Sequence, residues 1–182
     1  TIAYKYIQIR KRLKWGNVML EVGTVIVHPT HGKGELREVQ KMLVLGTPTW
    51  YYIFDFKVNE LDRVMIPVDK IKDSGIRQPV NEETINETLD YLKSGHTLVP
   101  DPKSNFHRVH KEYSERIARG DILEVAKVYK ALYQKGDSRE LGLKDKLLFE
   151  KTEQLLVGEI EASCHLSTED SMKKLQDCMC IQ

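Results

Sequence analysis

The sequence predicts an α+β fold in which a small β-barrel precedes an all-α helical bundle. Between residues 20 and 78, short runs alternate apolar and polar residues and are separated by glycine and proline turns, which is typical of strands. From residue 81 onward, apolar residues recur every three or four positions, as on one face of a helix. This change of period predicts two domains, residues 20–78 and 79–182, after an extension of residues 1–19.

The extension carries five basic and no acidic side chains. A basic segment of this kind can serve as a nucleic-acid or membrane-surface arm. Its apolar positions are interrupted and no cleavage site follows, which argues against a signal peptide. We favour the simpler interpretation, an unstructured extension upstream of the first domain.

Strands are expected at residues 23–28, 34–45, 49–56 and 61–68. The first ends at Pro29, because proline has no amide donor for a central strand. Four or five short strands with hairpin spacing suit a Tudor- or SH3-like barrel. Trp50, Tyr51 and Tyr52 raise the alternative of an aromatic cage for methylated lysine. A barrel this small needs aromatic side chains in its centre, so we favour a core role, and along this strand we expect Trp50, Tyr52, Phe54 and Phe56 to face one way.

Four helices and a short tail helix are expected in the second domain. Predicted N-caps are Asn81, Ser104 and Asp121, and glycines at 95, 120 and 136 are expected to end the first three helices. The fourth helix is expected at residues 143–162, with Leu147 facing inward. A capping box at Ser167–Asp170 precedes a tail helix at residues 171–179. Helices joined by such short turns form a compact bundle.

Composition limits the function. The formal net charge of +1 argues against a general polyanion binder, and no apolar run approaches the roughly 20 residues of a membrane helix. Cys164, Cys178 and Cys180 form no disulfide framework, which fits a reducing cytoplasm. With His165 they supply four soft metal ligands, but their spacing matches no zinc signature. We therefore expect neither a metal nor a cofactor.

Three ordered motifs carry a family resemblance. The chain resembles the CarD/CdnL family of bacterial transcription regulators, whose first module also occurs in the transcription–repair coupling factor. The similarity spans roughly residues 20–160, leaving the tail without an assigned role. It rests on Gly120, Asp121, Val125, Ala126 and Val128, on the run Gln154–Glu159, and on an opening formed by Val22, Gly23, Val25, Pro29, His31, Gly32 and Gly34.

The resemblance implies a cytoplasmic, nucleoid-associated regulator without enzymatic activity. In the family, the barrel docks on the β subunit of RNA polymerase. The helical domain contacts promoter DNA at the upstream edge of the melted region, in the minor groove and with little sequence specificity. We expect a monomer without membrane contact. The sequence itself offers no phosphate loop, nucleophile elbow or metal-ligand spacing.

The family's DNA-contacting pattern contains a wedging tryptophan and two arginines. Here it stands as Asn105, Phe106, His107, Arg108 and Val109, so phenylalanine replaces the tryptophan and the second arginine is lost. Phenylalanine can still insert between base steps. The competing interpretation is that Phe106 extends the apolar stripe of its own helix and is core.

Two further cations complete the expected DNA contacts. Lys111 lies within a turn of Phe106, as Arg108 does, and both are expected to hold phosphates. By resemblance, Lys146 at the start of the fourth helix adds another phosphate contact.

The polymerase-binding residues depart more from the family. Two arginines that support docking in other members align with Met42 and Met65. Arg63, on the same strand face as Met65, is a candidate substitute, and methionines can dock by apolar burial. The alternative function is a protein–protein interaction module that binds RNA polymerase, or another partner, through the barrel without contacting DNA.

Overall fold

The computed structural model describes residues 14–15, 18–56, 63–101 and 103–179, with side chains from residue 20 onward. The chain forms two compact units. The sheet unit comprises residues 1–28 and 33–78, and the helical unit comprises residues 29–32 and 79–182. Strands β1 (Lys14–Trp15) and β2 (Val18–Met19) pair antiparallel. The end of the predicted unstructured extension is therefore paired, while residues 1–13 lie outside the described part.

The sheet unit contains a four-stranded antiparallel sheet in consecutive order. Its strands are β3 (Val25–His28), β4 (Gly32–Val44), β5 (Thr47–Phe56) and β6 (Arg63–Pro67). Helices follow the sheet, and the predicted α+β class is confirmed. Residues 57–62, which include the predicted start of the last strand, lie outside the described residues.

The turn between β4 and β5 is tighter than the sequence predicts. Leu45 and Gly46 both have positive φ, and Val44 pairs directly with Thr47. Two-residue hairpin loops favour such turns because their twist matches that of the strands. Pro48 consequently lies inside β5 rather than in the turn. The pairing of β5 with β6 begins only at Tyr51. On that edge of β5, no backbone hydrogen bond to β6 is needed at Pro48, which has no amide donor.

The core of the sheet unit is aromatic. Tyr52, Phe54 and Phe56 alternate along β5 and are buried, as predicted, whereas Trp50, expected on the same face, is only half-buried. Tyr52 is only 2% exposed, so its ring cannot form one wall of an open cage, and the methyl-lysine interpretation is wrong. After β6, a 3₁₀ helix (Val68–Asp73) returns the chain to the other edge of the sheet. There Arg77 bridges to Val27 on β3, which gives the sheet a barrel-like curl.

The helical unit contains five helices. They are α1 (Glu82–Lys93), α2 (Phe106–Ala118), α3 (Ile122–Ser138), α4 (Leu143–Cys164) and α5 (Thr168–Met179). Asn81 and Asp121 cap α1 and α3 as predicted. These expectations are wrong: α2 is capped by Asn105 instead of Ser104, α3 continues through Gly136, α4 runs to Cys164, and Leu147 is 58% exposed instead of facing inward.

The tail helix belongs to the bundle. Ser167 accepts a hydrogen bond from the Asp170 amide at 3.0 Å, as a capping box requires. Leu175, Cys178 and Met179 then lie in the same apolar cluster as residues of α1, α3 and α4. The sequence assigned no role to this tail, and the structure corrects that. The tail is part of the core of the helical unit, because it covers apolar surface that the other helices leave open.

Lys130 is a fully buried cation that the sequence did not reveal. It lies on the inner face of α3, and its Nζ donates to the carbonyls of Tyr91 (3.3 Å), Leu92 (2.9 Å) and Ser94. These carbonyls lie at the end of α1, where a helix leaves its last carbonyls without intrahelical partners, and Ser94 donates a further bond to the Tyr91 carbonyl. Burial lowers the pKa of Lys130, and the carbonyl dipoles offset part of that desolvation. The residue joins α3 to the end of α1.

In the part of the chain that the structure describes, no helix is both long and apolar enough to cross a membrane.

Candidate nucleic-acid interface

Phe106 is exposed. It is the first residue of α2, and 44% of its surface is accessible. Farther along the same stripe, Tyr113 and Ile117 are buried, and Val109 packs partly against the core. Phe106 lies outside that cluster, so the interpretation of its ring as core is wrong. The apolar stripe of α2 therefore ends in a ring that faces solvent.

The start of α2 is polarised to favour an anion. Asn105 caps the helix, its Oδ1 accepting from the Arg108 amide at 2.9 Å. Among the helices that the structure describes with their N-caps, only α2 has no acidic residue in its first turn. Helix N-termini carry partial positive charge that an acidic side chain would neutralise. Here that charge stays available, next to the exposed ring.

The three predicted phosphate-binding cations differ in their present partners. Arg108 is exposed, and its guanidinium makes no ion pair with the residues described here. Lys111 pairs with Glu115 at 3.8 Å, and Lys146 with Glu140 at 2.9 Å. Both glutamates are exposed, and such surface pairs contribute little. A phosphate meets an unpaired Arg108 but has to displace a carboxylate from each lysine.

Three cationic or titratable groups lie around Phe106 to which the sequence pattern assigned no role. Lys135 Nζ lies 5.6 Å from the centre of the Phe106 ring, within cation–π range. The rings of His107 and His110 lie 5.7 and 5.9 Å from the same ring. His107 and His110 follow Phe106 closely in sequence, but Lys135 lies on α3. Only the packing of α2 on α3 brings Lys135 to the site.

Asp145 anchors Lys135. Its carboxylate, at the start of α4, is almost fully buried and accepts from Lys135 Nζ at 2.6 Å. The pair fixes the lysine beneath the Phe106 ring and connects the start of α4 to α3. An aromatic side chain held from below in this way loses less conformational freedom when it enters a DNA groove.

An ion-pair network holds α2 against α3. Arg116 on α2 bonds to Glu112 at 2.9 Å and to Glu124 on α3, and Glu124 also accepts from Lys127 at 2.6 Å. The bond from Lys127, reinforced by Arg116, lowers the pKa of Glu124. Hydrogen bonds to Glu112 and Glu124 raise the pKa of Arg116. The network stays charged around neutral pH and keeps α2 and α3 in register.

A cleft of about 700 Å³ lies beside Phe106. It is lined by residues 97–100 and by parts of α2, α3 and α4. Tyr113, which is 5% exposed, forms part of its wall. Burial, followed by the nearby carboxylates of Glu112 and Asp145, raises the pKa of Tyr113 to about 12. The phenol therefore remains protonated throughout the physiological range.

The predicted polymerase-binding residues share one face of the sheet. Met42 pairs with Thr49, Met65 with Ile53, and Arg63 with Asp55. These β5 positions alternate with the buried aromatics, so the three side chains lie on the face away from the core. Met65 is 50% exposed and Met42 is half-buried.

Arg63 is already engaged on that face. It lies 3.3 Å from Asp55, and Arg37 approaches the same carboxylate at 3.4 Å. Arg37 occupies a β-bulge between Leu36 and Glu38, where the strand has one residue more than its partner. Two arginines thus share a single acid beside the exposed methionine, and Glu35 and Glu38 lie on the same face.

Among the described residues, no group of three or more histidine, cysteine, aspartate or glutamate side chains is placed to hold a metal ion. Cys178 is buried in the core and burial raises its pKa, while Cys164 lies 3.7 Å from Lys174 Nζ. Cys180 lies outside the described residues.

Comparison with known proteins places the chain in a family. A family model described as CarD-like/TRCF RID domain matches residues 20–80, and one described as CarD, C-terminal domain matches residues 87–176. The chain belongs to the CarD family and is a transcription regulator. The second match extends into α5, beyond the residue 160 limit expected from sequence.

One relative supports the same assignment. The chain is 25% identical over 145 residues to a Bacillus subtilis (strain 168) protein named "Putative transcription factor YdeB". The match covers 79% of this chain and 91% of the relative. The similarity therefore includes both the sheet unit and the helical unit.

Proposed function

We propose that this regulator binds the β subunit of RNA polymerase through the sheet unit and stabilises the open promoter complex through the helical unit. The carrying observation is Phe106, an exposed aromatic at a helix start that lacks acidic residues. Side chains of this kind insert between base steps of the minor groove, at a cost of a few kcal/mol in unstacking. Arg108, Lys111 and Lys146 hold the flanking phosphates, and Asn105 orients the helix start.

The proposed mechanism couples binding of the regulator to melting of the promoter. A protein that binds the melted promoter better than the closed one shifts the equilibrium towards melting. A differential contribution of about 1.4 kcal/mol shifts it tenfold. Phe106 supplies this difference because its ring finds a gap between bases only where the duplex is already splayed.

The wedge is tested by measuring the lifetime of open complexes after a competitor challenge. Phe106→Ala should shorten the lifetime to that seen without the regulator, while polymerase binding is retained. Phe106→Leu should keep part of the effect, since leucine also wedges between bases. An unchanged lifetime with Phe106→Ala, in protein that melts like wild type, rejects the wedge.

Charge reversal separates the proposal from the alternative module that touches only protein. Arg108→Glu combined with Lys111→Glu should remove a salt-dependent part of promoter-complex binding. Lys72→Glu combined with Lys173→Glu, at exposed lysines of the 3₁₀ helix and α5, makes the same change of four charges and is the control. If the double variant and the control behave alike, the chain acts through the sheet unit without DNA.

Docking on polymerase is tested on the outer face of the sheet. Met65→Glu places a charge on a half-exposed apolar contact and should weaken binding to the polymerase β subunit by about tenfold or more. Lys72→Glu, on the exposed surface of the 3₁₀ helix, is the control. If both variants bind the polymerase β subunit equally well, the docking surface does not include Met42, Arg63 and Met65.

A further inference from the structure

The cleft beside Phe106 has walls and polar groups suited to a flat, hydrogen-bonding ligand. Its walls are largely apolar, formed by Leu98 and Val99 before α2, by Val109 on α2 and by Ala131 on α3. Its volume of about 700 Å³ is in the range of small-ligand sites. Phe106 stands at its edge and belongs to its lining.

Two polar groups that line the cleft have unused bonding capacity. The Tyr113 hydroxyl makes no hydrogen bond to the described residues, although only 5% of the residue is exposed. Asp145 uses Oδ2 for Lys135, while its Oδ1 has no partner in the described part of the chain. Both groups belong to the lining of the cleft and can bond to a molecule that enters it. A protonated phenol and a carboxylate oxygen together offer one donor and one acceptor.

We propose that this cleft receives an unpaired nucleobase from the melted promoter strand, next to the wedge formed by Phe106. The inference rests on the proposed function and deepens it, because a wedge that unstacks a step leaves a base without neighbours. A base has apolar faces for the walls of the cleft and an edge that carries both donors and acceptors. Capture costs least when the base is already unpaired.

The charges favour a base over an isolated phosphate inside the cleft. Lys135 is the cation held within it, and Asp145 neutralises it at 2.6 Å. Arg139 lies at the exposed edge of the cleft and makes no ion pair with the residues described. The arrangement therefore suits a neutral nucleobase inside the cleft, with the phosphate of the same nucleotide outside the cleft at Arg139.

The test uses the full chain, RNA polymerase holoenzyme and promoter DNA. Each unpaired position along the upstream edge of the melted region is replaced in turn by an abasic site, and the open-complex lifetime is measured. Ala131→Leu fills the cleft and should shorten the lifetime about fivefold on normal DNA, the loss expected for one stacked base. Tyr113→Phe removes one hydroxyl and should shorten it about twofold to tenfold.

The abasic DNA provides the decisive comparison. At one position the abasic site should shorten the lifetime with the wild-type protein, and there Ala131→Leu and Tyr113→Phe should cause no further loss. Tyr113→Phe covers the case in which Ala131→Leu fails to fold. If both variants lose the same factor on normal and abasic DNA at every position, base capture is rejected.

The result is distinguishable from failure of the proposed function. If the wild-type protein does not lengthen the lifetime at all, the proposed function fails, and base capture fails with it. If it lengthens the lifetime but no abasic site matters, only base capture fails. A final experiment titrates the protein with free nucleoside 5′-monophosphates. If they bind, if Ala131→Leu abolishes that binding, and if no abasic site changes the open-complex lifetime, the cleft binds a free nucleotide. That outcome overturns the proposal.

Discussion

The outer face of the sheet and the start of α2 use their arginines in opposite ways. On the sheet, Arg37 and Arg63 both contact Asp55, beside an exposed methionine. On α2, Arg108 has no ion-pair partner among the described residues and follows an exposed aromatic ring. Arginines held by an acid beside apolar surface suit a protein partner, whereas an unpaired arginine beside a ring suits a phosphate chain. The comparison assigns different partners to the two units, and the predictions below test whether the two functions separate.

The largest effect is expected for Lys130→Met, which disrupts the helical unit alone. The change removes three hydrogen bonds that the Lys130 ammonium donates to carbonyls at the end of α1, and hydrogen bonds to charged groups contribute about 1.5–3 kcal/mol each. We expect a loss of roughly 3 kcal/mol or more in the free energy of unfolding, measured by urea titration. The DNA-dependent effect should decline while polymerase binding persists.

The control for this variant is Lys144→Met, an exposed lysine on α4. It makes the same chemical change without touching a buried carbonyl. If both variants are equally stable, Lys130 does not cap α1. If Lys130→Met abolishes polymerase binding as strongly as the DNA effect, the two functions do not separate.

An intermediate effect is expected for Gly34→Ala, which disrupts the sheet unit alone. A Cβ at this position would lie 2.6 Å from two carbons of the buried Phe56 ring. Overpacking of this kind typically costs about 1–3 kcal/mol. Polymerase binding should weaken, whereas the charge-dependent contact with DNA should be preserved. Gly95→Ala, where a Cβ meets nothing within 4 Å, is the matched control for thermal unfolding, and equal melting of the two variants contradicts the prediction.

The smallest effect is expected for Asn105→Ala, which changes only the start of α2. Loss of an N-cap costs about 1 kcal/mol and loosens the turn that carries Phe106. Ser104→Ala is the matched control, since Ser104 was the cap expected from sequence but is not the cap in the structure. The midpoint of thermal unfolding and the open-complex lifetime should both fall for the first variant, whereas the midpoint of thermal unfolding should stay unchanged for the second. If Ser104→Ala instead lowers the midpoint of thermal unfolding and Asn105→Ala does not, Ser104 is the cap.

Much of the fold was predictable because local patterns encode it. The alternation along β5 correctly identified Tyr52, Phe54 and Phe56 as the core face, and short polar side chains marked the starts of α1 and α3. Errors occurred where two local signals compete. Ser104 and Asn105 are both good caps, and Gly136 resembles a helix end although α3 continues through it to Ser138.

By itself, the sequence determined the order of strands and helices, the alternating core face and the family, because period and motif are properties of neighbouring residues. Tertiary structure decided what lies around Phe106. Lys135 and Asp145 come from other helices, and neither the cleft nor the free Tyr113 hydroxyl has a signature in the chain. Tertiary packing also decided the exposure of Phe106, which occupies a regular position in an apolar stripe. Whether such a position is buried depends on which surfaces from elsewhere in the chain cover it, and none of the described ones covers this ring fully.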